Sequence, residues 1–433
     1  MGPVIIFDKS TLESLNPDEA VWLDQFYLSN ITPLFFVETL ADLEKDMRSG
    51  RSPEEVVGSL AYKTPDYSSK PNAHHRDLMS GELFGGAKLD LTYGRPHITG
   101  GKSVALGSGT GVLFEPSPEE EAFQRWQDHR FLELERYQAK QWRAALLGVN
   151  MELQYKVFQA FFPLGKPKSL HDVKRFLNFY IESPDQENLL TFGLGMEGVT
   201  EAGRKEVLSR WSAEGKPRIQ EFAPYFTYIF SIDFFFGLAI AADLIGRGRP
   251  SHKVDLAYLY YLPFCMVFTS NDKLHAELAP FFLRADQTFV PGRELKTDLA
   301  KLDQHYSTSI TPEQKEEGVV SFASRPPKSD EFITTRLWDK HMGTKWREYE
   351  YKMRPQPDSE LLKKFRDEIR KMEKAPEIKP LSGSTLDEAA AMVMRRMVKG
   401  HKGKWRRFPP EVMNRRKNSE GEWEDIPPEE LIH

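Results

Sequence analysis

The sequence predicts an α/β fold: a central, mostly parallel sheet flanked by helices, interrupted by a largely helical insertion and followed by a helical C-terminal extension. Three observations carry this. Short apolar runs rich in β-branched or aromatic residues recur, and each ends on or leads to a carboxylate. One helix-start pattern, a Ser, Thr or Asn cap with acidic or amide residues two and three positions on, occurs five times. Past Tyr306 the composition shifts to polar helical stretches separated by Pro-rich joints.

The first apolar run, Val4–Phe7, ends on Asp8 and reads as a buried strand with a carboxylate at its C-terminal end. Asn16-Pro17-Asp18-Glu19 then opens a helix, with Asn16 as cap and Glu19 reaching back to it. A second strand is expected over residues 31–37, running directly into Glu38 and the helical TLADLEK. The start pattern returns at Ser52, Ser117, Thr311 and Thr385. After Ser117, the residues Phe123, Trp126, Leu134, Tyr137 and Trp142 recur at mostly helical intervals and are expected to face a core. Residues 63–116 are rich in Pro, Ser, Gly and His and read as loops with short strands. Residues 151–216 look helical. A third strand is expected over 264–268 after a helix beginning near Asp255. A short strand over 288–290 and a helix over 294–306 follow.

Length suggests two or three domains. The boundaries expected are residues 1–45 plus 220–306 for the sheet domain, 46–219 for the insertion and 307–433 for the extension. Hydrophobic residues at 40% and charged residues at 28% are ordinary for a soluble globular chain. A single cysteine, Cys265, allows no disulfide framework, and no basic leader precedes the first strand, so a cytoplasmic setting is expected. Residues 222–245 are long and apolar enough to span a bilayer. Asp233 near their middle makes a buried central helix, without a membrane, the expected outcome.

The net charge of -5 hides an asymmetry. Residues 391–418 hold ten Lys or Arg against Glu411 alone. Arg395, Arg396, Lys402, Lys404, Arg406 and Arg407, interleaved with Trp405, suit phosphate contacts plus one stacked base, and suit a solvated tail equally. Gly100-Gly101-Lys102-Ser103 lacks the first glycine of a phosphate loop, since Pro96 stands there. His74 and His75 are adjacent and read as a surface loop rather than a chelating pair.

The chemistry gathers at the expected strand ends. Asp8 and Asp272 follow strands, Glu38 follows the second strand, and Asp255 opens the helix leading to the third. Ligands of open parallel sheets collect at the C-terminal ends of the strands. Four carboxylates on one such edge repel one another unless a divalent cation neutralises them, and oxygen-only ligands select Mg²⁺ or Mn²⁺.

The stretches IIFDKSTL, PLFFVETLADL, KVDLAYLYYLPFCMVFTSNDKL and TFVPGRELKTDL, in that order, resemble the successive pieces of a PIN-like nuclease domain. The resemblance covers residues 3–45 and 220–306. It implies catalytic and metal-binding roles for Asp8, Glu38, Asp255 and Asp272, with Thr269, Ser270 and Asn271 as supporting polar groups. Ser10 stands where that family often has a small hydroxyl. It further implies metal-dependent phosphodiester hydrolysis, an endoribonuclease with RNA favoured over DNA. The chain departs from the family in its split by residues 46–219, a substrate-binding or regulatory module, and in its long extension; a regulatory protein partner is a further expectation. The alternative from another class is a non-catalytic nucleic-acid- or protein-binding scaffold that keeps the PIN-like fold.

Overall fold

Val4–Phe7 forms β1, and its four residues divide between two cores: Val4 and Ile6 pack on one face of the sheet, Ile5 and Phe7 on the other. A strand apolar at every position belongs in the middle of a sheet covered on both sides. The computed structural model describes residues 2–46, 50–98, 101–106, 109–148, 151–162, 165–246, 252–348, 359–378, 391–394, 398–409, 415–417 and 423–425. The further strands are β2 (Leu28–Ile31), β3 (Ser69–Pro71), the hairpin β4 (Lys102–Leu106) and β5 (Gly109–Phe114), β6 (Val267–Ser270) and β7 (Thr288–Pro291). The central sheet runs β3-β2-β1-β6-β7, and every neighbouring pair is parallel.

Several expected elements sit elsewhere. The second strand is Leu28–Ile31, and Pro33 begins a helix, Pro33–Asp46, so Glu38 lies in its second turn rather than at its start. In that helix Leu34, Phe35 and Val37 are buried; a short apolar run does not distinguish strand from helix, and Pro favours a helix's first turn. The third strand begins at Val267, because Leu259–Phe264 with its internal Pro263 forms 3-10 turns. β3 falls within the residues assigned to the insertion, so the sheet domain takes in Ser69–Pro71. Its sequence Ser-Lys-Pro carries no apolar pattern, and Pro71 is tolerated because β3 lies at the sheet edge.

The helix starts at Asn16, Ser52, Ser117 and Thr311 all form reciprocal capping boxes, while Thr385 lies outside the described residues. The stripe after Ser117 splits into the helices Pro118–Gln127 and Glu133–Leu147. Phe123 and Trp126 are buried, but Leu134, Tyr137 and Trp142 are 63%, 61% and 45% exposed, so the second half of the stripe does not face a core. His74 caps the helix His75–Gly85, and His75 is buried against Tyr261 rather than standing in a surface loop.

On one face of the sheet lies the helix Pro224–Ala241, with fifteen of its eighteen residues buried. It is the one helix among the described residues long and apolar enough to cross a membrane, and 83% of it is buried inside the protein. Its Asp233 pairs with Lys253 and accepts a hydrogen bond from Tyr260, which offsets the cost of a buried charge.

On the other face, Trp22 stacks on Tyr306 at 4.5 Å and meets Trp405 edge-on at 5.0 Å. Trp405 belongs to a strap, residues 398–409, whose strands His401–Lys402 and Trp405–Arg406 form a hairpin. Lys402 is fully buried, with Nζ 2.9 Å from the Thr64 carbonyl, and Arg407 pairs with Asp24 and Asp66. Lys404 reaches Asp303 at 2.6 Å and Arg406 reaches Glu316 at 3.2 Å. The cations expected to grip phosphate are therefore engaged within the chain, and Lys402 and Arg407 are closed off from any polyanion. Arg395 and Arg396 lie outside the described residues.

Burial alone would raise the Asp24 carboxyl, but the Arg407 guanidinium and the Lys402 ammonium outweigh it and hold it well below the usual range. A depressed carboxylate contributes stability above its ordinary titration range and loses it as the pH falls through that range. Asp24→Asn leaves two buried cations with Asp66 alone and should cost about 3–5 kcal/mol at pH 7, read from urea denaturation midpoints. The difference between wild type and variant should shrink as the pH is lowered below about 4.

Candidate active site

In the order β3-β2-β1-β6-β7, the chain steps outward from β1 on one side and returns to pair with β1 on the other. The crevice at the C-terminal ends of β1 and β6 is thus the switch point where open parallel sheets bind ligands. Phe7 pairs with Thr269, so Asp8 emerges beside Ser270.

Asp8 caps the short helix Lys9–Ser14 and is nearly fully buried. Its Oδ1 accepts from the Thr11 N–H at 2.9 Å, and its Oδ2 lies 2.7 Å from the hydroxyls of both Ser10 and Ser270. Asp272 caps the helix Lys273–Leu278, accepting from the Leu274 N–H at 2.6 Å. Thr269 is buried in β6 and its hydroxyl has no hydrogen-bond partner among the described residues. Asn271 packs with Thr11 around Gly292, where a Cβ would come within 2.9 Å of the Asn271 side chain and 2.5 Å of the Thr11 hydroxyl. Only glycine permits so close an approach at the start of the helix Gly292–Ser309.

Glu38 and Asp255 approach from flanking helices. Tyr258 donates its hydroxyl to Glu38 Oε2 at 2.6 Å. Burial pushes the Glu38 carboxyl up to about 8; the Tyr258 hydrogen bond and Lys9 oppose the rise, while Asp8 and Asp42 add to it. Burial likewise raises Asp255 to about 6, opposed by His275 and reinforced by Asp272, Asp8 and Asp42. Glu38 thus feels the charge of Asp8, and Asp255 that of Asp8 and Asp272.

Two members of this neighbourhood escape a reading of the sequence. Asp42 stands four residues after Glu38, on the same face of one helix, a spacing that could have flagged it. Burial would raise its carboxyl, but Lys9, 3.3 Å away, and Arg143 from the insertion hold it low. His275, three residues beyond Asp272, is buried with Nδ1 2.7 Å from Ser270 Oγ and Nε2 2.6 Å from the Asp255 carbonyl. Nothing in its local sequence sets it apart.

The donors are hard oxygens, and the positive charge among them is Lys9 and Arg143, both engaged with Asp42. In charge and chemistry the set fits a divalent cation. In geometry it is open: among the described residues, no three His, Cys, Asp or Glu side chains stand close enough to clasp one ion. The turn after β1 reads Asp8-Lys9-Ser10-Thr11 and lacks the glycines by which a dinucleotide pyrophosphate approaches a helix start.

Comparisons with known proteins return no match: no family model, no curated protein and no solved structure matches the chain. The site's own chemistry is what a functional reading has to stand on.

A carboxyl whose folded-state pKa is raised contributes most below its ordinary value, and that contribution is lost as the pH rises through the raised value. For Glu38 the window runs from 4.5 to about 8. Without divalent ions, the wild type should therefore lose about 2–3 kcal/mol more than Glu38→Gln between pH 5 and pH 8. Denaturation midpoints at both pH values, in a chelator, check this; parallel losses in the two proteins would remove Glu38 from the crowded set.

Proposed function

We propose that the chain is a metal-dependent phosphodiesterase, a PIN-like nuclease acting on RNA, with Asp8, Glu38, Asp255 and Asp272 as the residues that hold Mg²⁺ or Mn²⁺. The observation that carries this reading is the set of carboxyls about the switch point, two of which, Glu38 and Asp255, are raised by burial and by their neighbours' charge. A divalent cation relieves that repulsion. The order of these residues along the chain is that of the family resemblance, from which the preference for RNA comes.

When bound, such an ion stabilises charge on a phosphodiester under attack and makes water a better nucleophile at neutral pH. The chain's own residues do the rest. Asp8 and Asp272, each fixed as a helix cap, offer pre-set oxygens at neighbouring strand ends. Glu38, whose carboxyl burial raises to about 8, would have to give up its proton to hold a cation, which would link ion binding to proton release. Lys9 and Arg143 keep Asp42 ionised beside this set, and Arg143 ties the insertion to it.

One observation favours the second reading, a non-catalytic scaffold: the Asp8 carboxylate already has three hydrogen-bond partners, and among the described residues no three His, Cys, Asp or Glu side chains form a ligand set. The two readings part cleanly. For a nuclease, Mn²⁺ at a hundred times its dissociation constant should stabilise the fold by about 2.7 kcal/mol, and single-stranded RNA should be cut until a chelator is added. Asp8→Asn should abolish both effects while leaving metal-free stability level or raised, since it removes one of several crowded charges. A wild-type melting temperature indifferent to Mn²⁺ and Mg²⁺, together with intact RNA and DNA substrates, would establish the scaffold instead.

A further inference from the structure

The helix Leu170–Ile181 turns two different stripes to its surroundings. Val173, Leu177 and Ile181 are buried and anchor it in the core around the helix Pro224–Ala241. Asp172, Arg175, Phe176 and Phe179 recur at helical intervals along the neighbouring stripe. Phe179 is 73% exposed, the most open of the large apolar residues in the described chain. Phe176 is half-buried and held edge-on against Phe162 at 5.6 Å between centroids. One exposed ring is ordinary on a surface. Here two rings line a single groove together with Lys166, Lys168 and Arg175. The groove measures about 470 Å³, inside the range of about 300–1,000 Å³ usual for ligand pockets. Its inner surface is nearly all apolar, so the cations lend it their carbon stems and keep their charged ends at the rim.

Three cations line the groove against one acid, Asp172, in a chain whose net charge is -5. Lys168 Nζ has no hydrogen-bond or ion-pair partner among the described residues. Arg175 pairs with Asp172, but its side chain is 81% exposed. Lys166 reaches Asp243 at 2.7 Å, where both side chains are also open to water. Such exposed pairs are weak, so a phosphate can take the place of either carboxylate. Lys402 and Arg407, closed off in the strap, lack that freedom. The ligand that suits the groove has flat apolar faces for the phenyl rings and negative charge at its edges. A nucleobase with its phosphates has that form, whereas a bilayer calls for apolar side chains that protrude rather than line a recess.

We propose that this groove binds a nucleotide unit of a single-stranded nucleic acid, the base against Phe179 and Phe176 and the flanking phosphates on Lys166, Lys168 and Arg175. The groove shares no residue with the carboxylate set and its binding needs no metal ion. It serves a nuclease and a scaffold alike, so it stands apart from the choice between them.

The test uses the full chain in a chelator, with a labelled single-stranded oligouridylate about sixteen nucleotides long as the probe. Affinity is read by fluorescence anisotropy over a salt series, on variants shown to be folded by their melting transitions. Phe179→Ala should weaken binding by about five- to a hundredfold, and Phe179→Tyr should keep most of the affinity. Lys168→Gln and Arg175→Gln should each flatten the slope of log affinity against log salt by about 0.7. Lys205→Gln, at a cation 76% exposed on the helix Glu201–Ala213, should change neither. Inorganic polyphosphate, which has the charge without the bases, should respond to the cation changes and ignore Phe179→Ala. Folded Phe179→Ala and Lys168→Gln proteins that bind the oligonucleotide as the wild type does overturn the inference. So does a wild type that leaves the oligonucleotide free, including one that binds phosphatidylserine vesicles instead. None of these results touches the metal-dependent reading, whose own test is cleavage with Mn²⁺ present.

Discussion

The parallel pairing of β1 with β6 joins residues more than 260 positions apart, Ile5 to Val267 and Phe7 to Thr269, and the rest of the architecture is arranged around it. Both strands are buried on both faces, so each must be covered by helices on two sides, and the chain supplies these from distant parts of the sequence. The same pairing makes the switch point. Because β1 and β6 run in the same direction and end together, Asp8 and the Ser270–Asp272 segment leave the sheet side by side. A slip of one residue would exchange the two faces of β1 and disrupt both cores, so the register of the site is held by the apolar residues beneath it.

Electrostatics at that edge pull against the packing. Glu38 and Asp255 are buried enough that their ionisation is resisted, Asp8 is nearly enclosed, and Asp42 remains ionised through Lys9 and Arg143. Acids with raised pKa values beside ionised ones, in a crevice at strand ends, mark functional sites more often than structural ones. The strap at residues 398–409 shows the contrasting case: Asp24 and Asp66 meet Arg407 and Lys402 in matched charge, with backbone N–H groups from residues 66–68 completing the Asp24 carboxylate. There burial closes a structural joint. At the strand ends the acids have no such full match.

The insertion and the extension are part of this body rather than appendages to it. Arg143 from the helix Glu133–Leu147 reaches the site's edge through Asp42, and the helices Met151–Gln159 and Leu170–Ile181 cover the apolar helix Pro224–Ala241. Trp405 completes the core around Trp22 and Tyr306, and Trp338 donates to the Phe26 carbonyl. A strand of the extension, Ala391–Met394, pairs with β5 of the insertion.

What the sequence determined by itself was local. Capping boxes at Asn16, Ser52, Ser117 and Thr311 are written in four consecutive residues and formed as read, because their hydrogen bonds lie within one turn. The buried strand Val4–Phe7 with Asp8 at its end was legible too, because its apolar run is local. The extent of the second strand was not, since Leu34 to Val37 is apolar whether it faces a core as helix or as strand. Short strands were expected within residues 63–116, but the place of β3 in the central sheet was not legible, because backbone pairing with β2, not side-chain pattern, makes Ser69–Pro71 a strand. The cations at 402–407 look like a phosphate grip until Asp24, Asp66, Asp303 and Glu316 arrive from distant parts of the chain to meet them. His275 became visible only once Ser270, Asp8 and the Asp255 carbonyl were brought to its two ring nitrogens. Tertiary structure decided these cases because charge pairing, burial and ring orientation depend on distances that no local spacing encodes.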